Sequence, residues 1–326
     1  MPQRLNSSSE LGRAVLGALA RSVEHLPAPL PDPELQYLPG GTHNHTVIAR
    51  QTDDYAVICR QPQHDLAPGE GLYNERAVQS RLPNDISPIS YYLDTANPDR
   101  PIHITDYVEG VSLPYTAWTN EHFKSLADTL ARAHTVGTTE EPTDLNAYLR
   151  RPKLDERMSA ITSPPKLKLA RHILSMTREV IHDMQALFAD TLTAAYAHND
   201  VQASNIILDT HNRALLWDWE FGGPLHPDLE LGTTYYPDDG YRDFRAGLDT
   251  QAEQQFLSAY EARAGHDPRR QKRIRVGQCI DTARMAIALM ALAEQQAAAN
   301  YGIASHEYAA DQDKLINLWE RVHNDV

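Results

Sequence analysis

The sequence predicts an α+β protein, a small β-rich first half followed by a larger helical second half. Three observations carry that expectation. Between Thr46 and Arg60 two β-rich runs flank an Asp-Asp turn. From Asn120 onward apolar residues recur at helical spacing over long stretches. Polar, loop-rich text marks the change of style, and the junction of two such halves favours a cleft.

The elements follow in order. Ser7 to Glu10 reads S-x-x-E, a capping-box pattern ahead of a helical run from Leu11 to Val23. Prolines from Pro27 to Pro33 interrupt the chain, so residues 1–35 read as a helix and linker. A Gly-Gly turn at Gly40 and Gly41 precedes the hairpin of Thr46–Arg50 and Tyr55–Arg60. Tyr73–Leu82 has helical spacing, Ile86–Leu93 and Pro101–Val108 read as strands, and Gly110 closes a section spanning 36–110. In the remainder, 111–326, Asn120 is placed to cap a helix through His134. Gly137–Pro164 reads as loop. Pro165 opens a long helix whose stripe runs Leu169, Ile173, Met176, Val180, Met184 and Leu187. Ala194–Trp219 is strand-rich. Helices are expected over Thr250–Ala264, Gln271–Ala298 and roughly Ser305–His323.

Composition removes several classes of function. With 326 residues and 41% hydrophobic content the chain can bury a sizeable core. A formal charge of -14 argues against a nucleic-acid partner. Cys59 and Cys279 are too few for a disulfide framework or a cysteine zinc site. No stretch reads as a membrane span, Met285–Leu292 being far too short, and Met1–Glu10 does not read as an export signal. A cytoplasmic protein without a membrane partner is the expectation. Lysine occurs only at Lys124, Lys153, Lys166, Lys168, Lys272 and Lys314, so the β-rich half has none.

The chemistry concentrates between Ala197 and Leu231. His198-Asn199-Asp200 is followed by Asn205, then by Ile206-Ile207-Leu208, and then by Leu215-Leu216-Trp217-Asp218-Trp219-Glu220. The span from Asn205 to Asp218 suits a hairpin that turns at Asp209–Arg213. Such a hairpin brings Asn205 and Asp218 to one end, near Asp200. Two carboxylates and an amide oxygen are hard ligands of the kind magnesium takes while keeping water and phosphate for the rest of its shell.

H-x-D-x-x-x-x-N followed by an apolar residue and Asp-Trp-Glu resembles the signature of the aminoglycoside phosphotransferase and choline kinase superfamily, which has a protein-kinase-like, bilobal fold. Further segments are similar to that superfamily in the same order. They are LPGGTHNHT (38–46), AVICR (56–60), YNERAVQSRL (73–82), ITDYVEG (104–110) and LADTLARAH (126–134). The resemblance implies an ATP-dependent, Mg2+-assisted transfer of phosphate to a small-molecule hydroxyl. It implies a nucleotide-binding lobe over 36–110 and a catalytic, substrate-binding lobe over 111–326. It implies Asp200 as catalytic base, with His198 bracing its loop and Asp228 helping to order it. Gly40, Gly41, Thr42 and Asn44 would cover the nucleotide, Arg60 would contact its phosphates and be steered by Glu75, and Asp106 and Val108 would lie at the hinge. Asn205 and Asp218 would hold magnesium, with Glu220 assisting a second ion or substrate.

Departures from the family pattern are Arg60 where lysine is common and Asn199 where glycine is common. Arginine keeps its charge and binds phosphate bidentately. Taken alone, His43 and His45 read as polar loop residues, since no third zinc ligand is spaced for them. Trp217 and Trp219 read as packing. Asp228, Glu230, Asp238, Asp239 and Asp243, with Tyr235, Tyr236 and Tyr241, form an acidic, aromatic stretch that would favour a cationic acceptor. The alternative reading is a nucleotide-binding pseudokinase with a regulatory role. The oligomeric state is not legible.

Overall fold

The computed structural model describes residues 3–39, 44–52, 54–63, 70–139, 143–150, 153–189, 193–237, 245–294, 305–324 and 326, residue 70 and residues 305–312 by backbone only. Gly40, Gly41, Thr42, His43, Asp238, Asp239, Tyr241 and Asp243 therefore lie outside the described residues. The chain forms two compact units, one of residues 1–136 and 198–223 and one of 137–197 and 224–326.

The first unit opens with β1 (Gln3–Arg4), α1 (Glu10–Arg21), β2 (Glu34–Leu38), β3 (Asn44–Thr52) and β4 (Tyr55–Pro62). It continues with α2 (Glu70–Gln79), β5 (Ser90–Asp94), β6 (Ile102–Asp106), β7 (Gly110–Val111) and α3 (Asn120–Val136). Six strands make an antiparallel sheet in the order β1-β2-β3-β4-β6-β5. Strand alternation sorts its side chains between two faces. Val47, Ala49, Val57, Cys59, Ile102 and Ile104 pack on Val15, Ala18 and Leu19 of α1. Ile58, Arg60 and Thr105 occupy the opposite face. The apolar stripe of α1 thus covers the back of the sheet. Its cap is Ser9, whose Oγ accepts from the Gly12 amide at 3.0 Å, two residues later than the S-x-x-E pattern places it. Strand β2 was not expected, because its apolar residues follow the proline run directly.

Beyond α3 come β8 (Thr138–Thr139), α4 (Leu145–Arg150), α5 (Leu154–Ala160), α6 (Pro164–Met184) and β9 (Thr193–Ala197), all in the second unit. Gly137–Pro164 is therefore not simply loop. Buried Leu145, Leu149 and Leu154 anchor two short helices whose periodicity is too brief to read in sequence. The chain returns to the first unit for β10 (Ile206–Asp209) and β11 (Ala214–Leu216), which form a three-stranded sheet in the order β11-β10-β7. After β12 (Gly223–Leu225), the second unit is completed by α7 (Pro227–Thr234), β13 (Tyr235–Pro237), β14 (Ala246–Leu248), α8 (Thr250–Ala264), α9 (Arg270–Glu294) and α10 (Ser305–Asn324). Its core gathers Ile173 and Ile181 of α6 with Val276, Ile280, Ile287 and Met290 of α9 and Leu315, Trp319 and Val322 of α10. Helix α9 is long and apolar enough to cross a membrane, contrary to the expectation of no such stretch, but 78% of that window is buried inside the protein.

Candidate active site

The local sequence explains how the site is built. Residues Ile206–Leu208 pair with Ala214–Leu216 in the register Ile206↔Leu216 and Leu208↔Ala214. Asp209 closes the turn, its Oδ1 accepting from the amides of His211 and Arg213 at 2.8 Å each. Helix α3 holds the returning strand: Thr129 Oγ1 donates to Ala214 O at 2.7 Å, and the Ala214 amide donates to Ser125 Oγ at 2.8 Å. The pairing runs one step further, with the Trp217 amide donating to Asn205 O at 3.1 Å. Asn205 and Asp218 thus lie at the same end of the hairpin. At Asp218 the backbone turns left-handed, φ 64°, a conformation that non-glycine residues adopt at some cost and that often marks a functional position.

The preceding loop is braced by His198, which is fully buried. Its Nε2 donates to Trp217 O at 2.8 Å while its Nδ1 accepts from the Asp200 amide at 3.3 Å, which fixes the tautomer. Asn199, at φ 65°, occupies the left-handed region that explains why glycine is common there; asparagine is among the few other residues that tolerate it. Its side-chain amide donates to Phe221 O at 2.9 Å. Asp200 presents a carboxylate whose Oδ2 accepts from Gln202 Nε2 and Asn205 Nδ2, both at 2.9 Å. The Asn205 amide nitrogen is spent on Asp200, and among the described residues its Oδ1 accepts only a long bond from Ser204 Oγ at 3.4 Å.

On the sheet, Arg60 is buried with a side-chain exposure of 4%. Nη1 lies 2.7 Å from both Glu75 oxygens, and Nη2 lies 2.5 Å from Asp218 Oδ1. Burial works against the Arg60 charge, yet Asp218 and Glu75 outweigh it and the guanidinium pKa is raised. Burial would likewise raise Glu75, but Arg60 and His103 hold its carboxyl down at about 2. Asp218 goes the other way: burial raises it, Arg60 opposes, and neighbouring Glu75 and Glu220 add to the rise. His103 was not singled out in the sequence. It sits on β6 with Nδ1 3.5 Å from Glu75 and Nε2 2.6 Å from Ser90 Oγ. A single histidine in a strand carries no local signal; only the strand register reveals that it faces the same side as Arg60.

A cavity of about 150 Å³ opens beside these groups, lined by Leu38, Ile58, Arg60, Glu75, Asp106 and Val108, among others. Trp217 also lines it, and its ring centroid lies 5.3 Å from the Arg60 guanidinium. Both tryptophans pack inside the protein, Trp219 buried and Trp217 against the guanidinium of Arg60. Asn44 is buried, its carbonyl accepting from Gln63 Nε2 at 3.0 Å. Glu220 lies against the first turn of α2: a Cβ at Gly71 would lie 3.0 Å from Glu220 Oε2 and 3.3 Å from its Cβ, so a larger residue there would push Glu220 aside by a few tenths of an ångström. Asn74 fastens the same segment, donating to Glu220 O at 3.0 Å and Gly222 O at 2.8 Å.

The donor set suits a magnesium ion. It offers carboxylate and amide oxygens only, and Asp218 Oδ2 has no hydrogen-bond partner among the described residues. Among the described residues no group of three or more His, Cys, Asp or Glu side chains could by itself hold a metal ion.

In the second unit Asp228 is held by Arg270 Nε at 3.1 Å and Arg273 Nε at 2.6 Å. Tyr235 and Tyr236 are fully buried, with hydroxyls donating to Glu253 and Asp281. These groups are committed to internal bonds, which removes them from the expected cation-attracting surface.

No curated protein sequence matches the chain. A candidate aminoglycoside phosphotransferase from Ralstonia eutropha is similar at 16% identity and TM-score 0.67, covering 95% of this chain and 97% of its own. The choline kinase LicA of Streptococcus pneumoniae is similar at 16% identity and TM-score 0.64, covering 96% and 100%. A streptomycin–ATP–APH(2")-IIa ternary complex is similar at 16% identity and TM-score 0.56, covering 98% and 99%. They show that this chain has the kinase-like α+β fold. The model of the phosphotransferase enzyme family matches residues 34–270. The chain therefore belongs to the phosphotransferase enzyme family.

Proposed function

We propose that this phosphotransferase moves the γ-phosphate of ATP to a hydroxyl of a small molecule, an amino alcohol, aminoglycoside or sugar-like compound, with the help of Mg2+. The observation that carries the reading is the convergence of Arg60, Glu75 and Asp218 beside a cavity bordered by the hinge residues Asp106 and Val108. In this reading residues 36–110 bind nucleotide, residues 111–326 carry catalysis and the acceptor, and residues 1–35 form an N-terminal helix and linker. ATP supply makes the cytoplasm the working compartment.

The chemistry of phosphoryl transfer is mainly positioning and charge neutralisation. Asp200 takes the proton of the acceptor hydroxyl, whose oxygen bonds to the γ-phosphorus as the bond to the β–γ bridging oxygen breaks and ADP departs. Gln202 and Asn205 orient the Asp200 carboxylate for this task. Arg60, held by Glu75, contacts the phosphates, and the segment around Gly40, Gly41, Thr42 and Asn44 covers them. Asn205 and Asp218 would hold Mg2+, with Glu220 available for a second ion or the acceptor, and the ion would supply neutralisation of the phosphate charge.

The test is kinase activity of the full chain with ATP and Mg2+ against a panel of hydroxyl metabolites, with Asp200→Ala as control. Turnover that is unchanged in Asp200→Ala removes the mechanism.

A further inference from the structure

We infer that Trp217 is a nucleotide-site residue that sets the plane of the Arg60 guanidinium, so that an arginine–tryptophan pair anchors phosphate in this chain. The inference rests on the reading above, that this cavity takes ATP. Trp217 lines the same cavity as Arg60, with its ring 5.3 Å from the guanidinium carbon. The indole cannot turn freely. Its Nε1 donates to Ser204 O at 2.8 Å, its backbone amide to Asn205 O at 3.1 Å, and its carbonyl accepts from His198 Nε2 at 2.8 Å. Trp217 is thus tied at three points to the loop that carries Asp200 and Asn205.

Arg60 needs such a guide. Nη1 is given to Glu75 and Nη2 to Asp218, while its buried Nε has no hydrogen-bond partner among the described residues. Two carboxylates fix one edge of the guanidinium, and the indole ring lies over it with its centroid 5.3 Å from the guanidinium carbon. A planar guanidinium offers a face to an aromatic ring and edges to oxygens at the same time, whereas an ammonium has no plane to present. The absence of lysine from the first 123 residues fits a site built around that difference. Lysine at position 60 would keep the charge and lose the stacking.

The experiment measures binding of ADP and Mg-ATP to the full chain by calorimetry. Trp217→Leu is expected to weaken both by about ten-fold. Trp217→Phe, which keeps a ring face and loses the indole N–H, should recover most of the loss. Arg60→Lys should cost more in the parent than in Trp217→Leu, because the stacking it removes is already gone there. Nucleotide should also change tryptophan emission in the parent and much less in Trp217→Phe. Trp217→Met, which fills space without a ring face, runs the same cycle if the leucine variant does not fold. Additive costs, or undiminished nucleotide affinity in Trp217→Leu, overturn the inference alone. Failure of the unmodified chain to bind either nucleotide overturns both this inference and the proposed function.

Discussion

In the first unit one buried cation, Arg60, stands among the carboxylates of Glu75, Asp218 and Glu220. In the second, one buried carboxylate, Asp228, is gripped by the guanidinium groups of Arg270 and Arg273. Burial raises the pKa of Asp218 and of Asp228 alike. Their bonding differs. Both oxygens of Asp228 are taken, Oδ1 by Arg270 and Oδ2 by Arg273, whereas Asp218 has only Oδ1 engaged among the described residues. The first cluster keeps a surplus of negative charge and an open donor, which suits a further cation. In the second both carboxylate oxygens are occupied, and the cluster fastens α7 to α9. Two clusters that look alike as lists of charged residues therefore divide into one that keeps a carboxylate oxygen open and one that braces.

The sharpest way to break this distinction is to remove one carboxylate from each place. Asp200→Asn and Asp218→Asn should each lower kcat by about 10²–10³ in the kinase assay while leaving the urea midpoint near that of the parent. A fall in stability matching the fall in rate would erase the contrast. Asp228→Asn should do the reverse. It removes the carboxylate the two arginines share, while Arg270 keeps Glu261 and Arg273 keeps Asp267, and should cost about 1–3 kcal/mol in urea unfolding. A variant as stable as the parent would show the second cluster to be no fastening.

A smaller, pH-dependent effect belongs to Glu75. Its folded pKa of about 2 lies below the ordinary 4.5, so its ionised form stabilises the folded chain above about 4.5. That contribution disappears as pH falls from about 4.5 towards about 2. Glu75→Gln should flatten the stability-against-pH curve in that window; an unchanged slope would assign acid sensitivity elsewhere. The smallest effect is expected at Arg21 and Asp94, where the arginine is 48% exposed. Arg21→Ala should shift stability by about 1 kcal/mol, setting the scale for an ion pair whose arginine is half open to water while its carboxylate is 6% exposed.

Sequence spacing made the hairpin of 206–216 and the grouping of Asp200, Asn205 and Asp218 legible, because short antiparallel pairing is a local event that turn residues announce. The long helices were legible for the same reason, their apolar period running over many residues. What stayed hidden depended on partners distant in the chain. His103 matters only through Glu75 and Ser90. Trp217 meets Arg60 from 157 positions away. Asp228 showed its charge in the sequence, but its bonds to Arg270 and Arg273 decide what that charge does. The short helices of 145–160 are held by burial that no short window of sequence encodes.

The part of the chain that matches its family starts at residue 34 and stops at 270, yet α1 lies before it and α10 after it. Val15, Ala18 and Leu19 seal the back of one hydrophobic core, and Leu315, Leu318, Trp319 and Val322 help close the other. A fragment trimmed to the shared region would lay both cores bare to solvent. Anyone expressing this enzyme for assay should therefore keep both ends, since sticky surfaces exposed by trimming would precipitate the protein before its chemistry was seen.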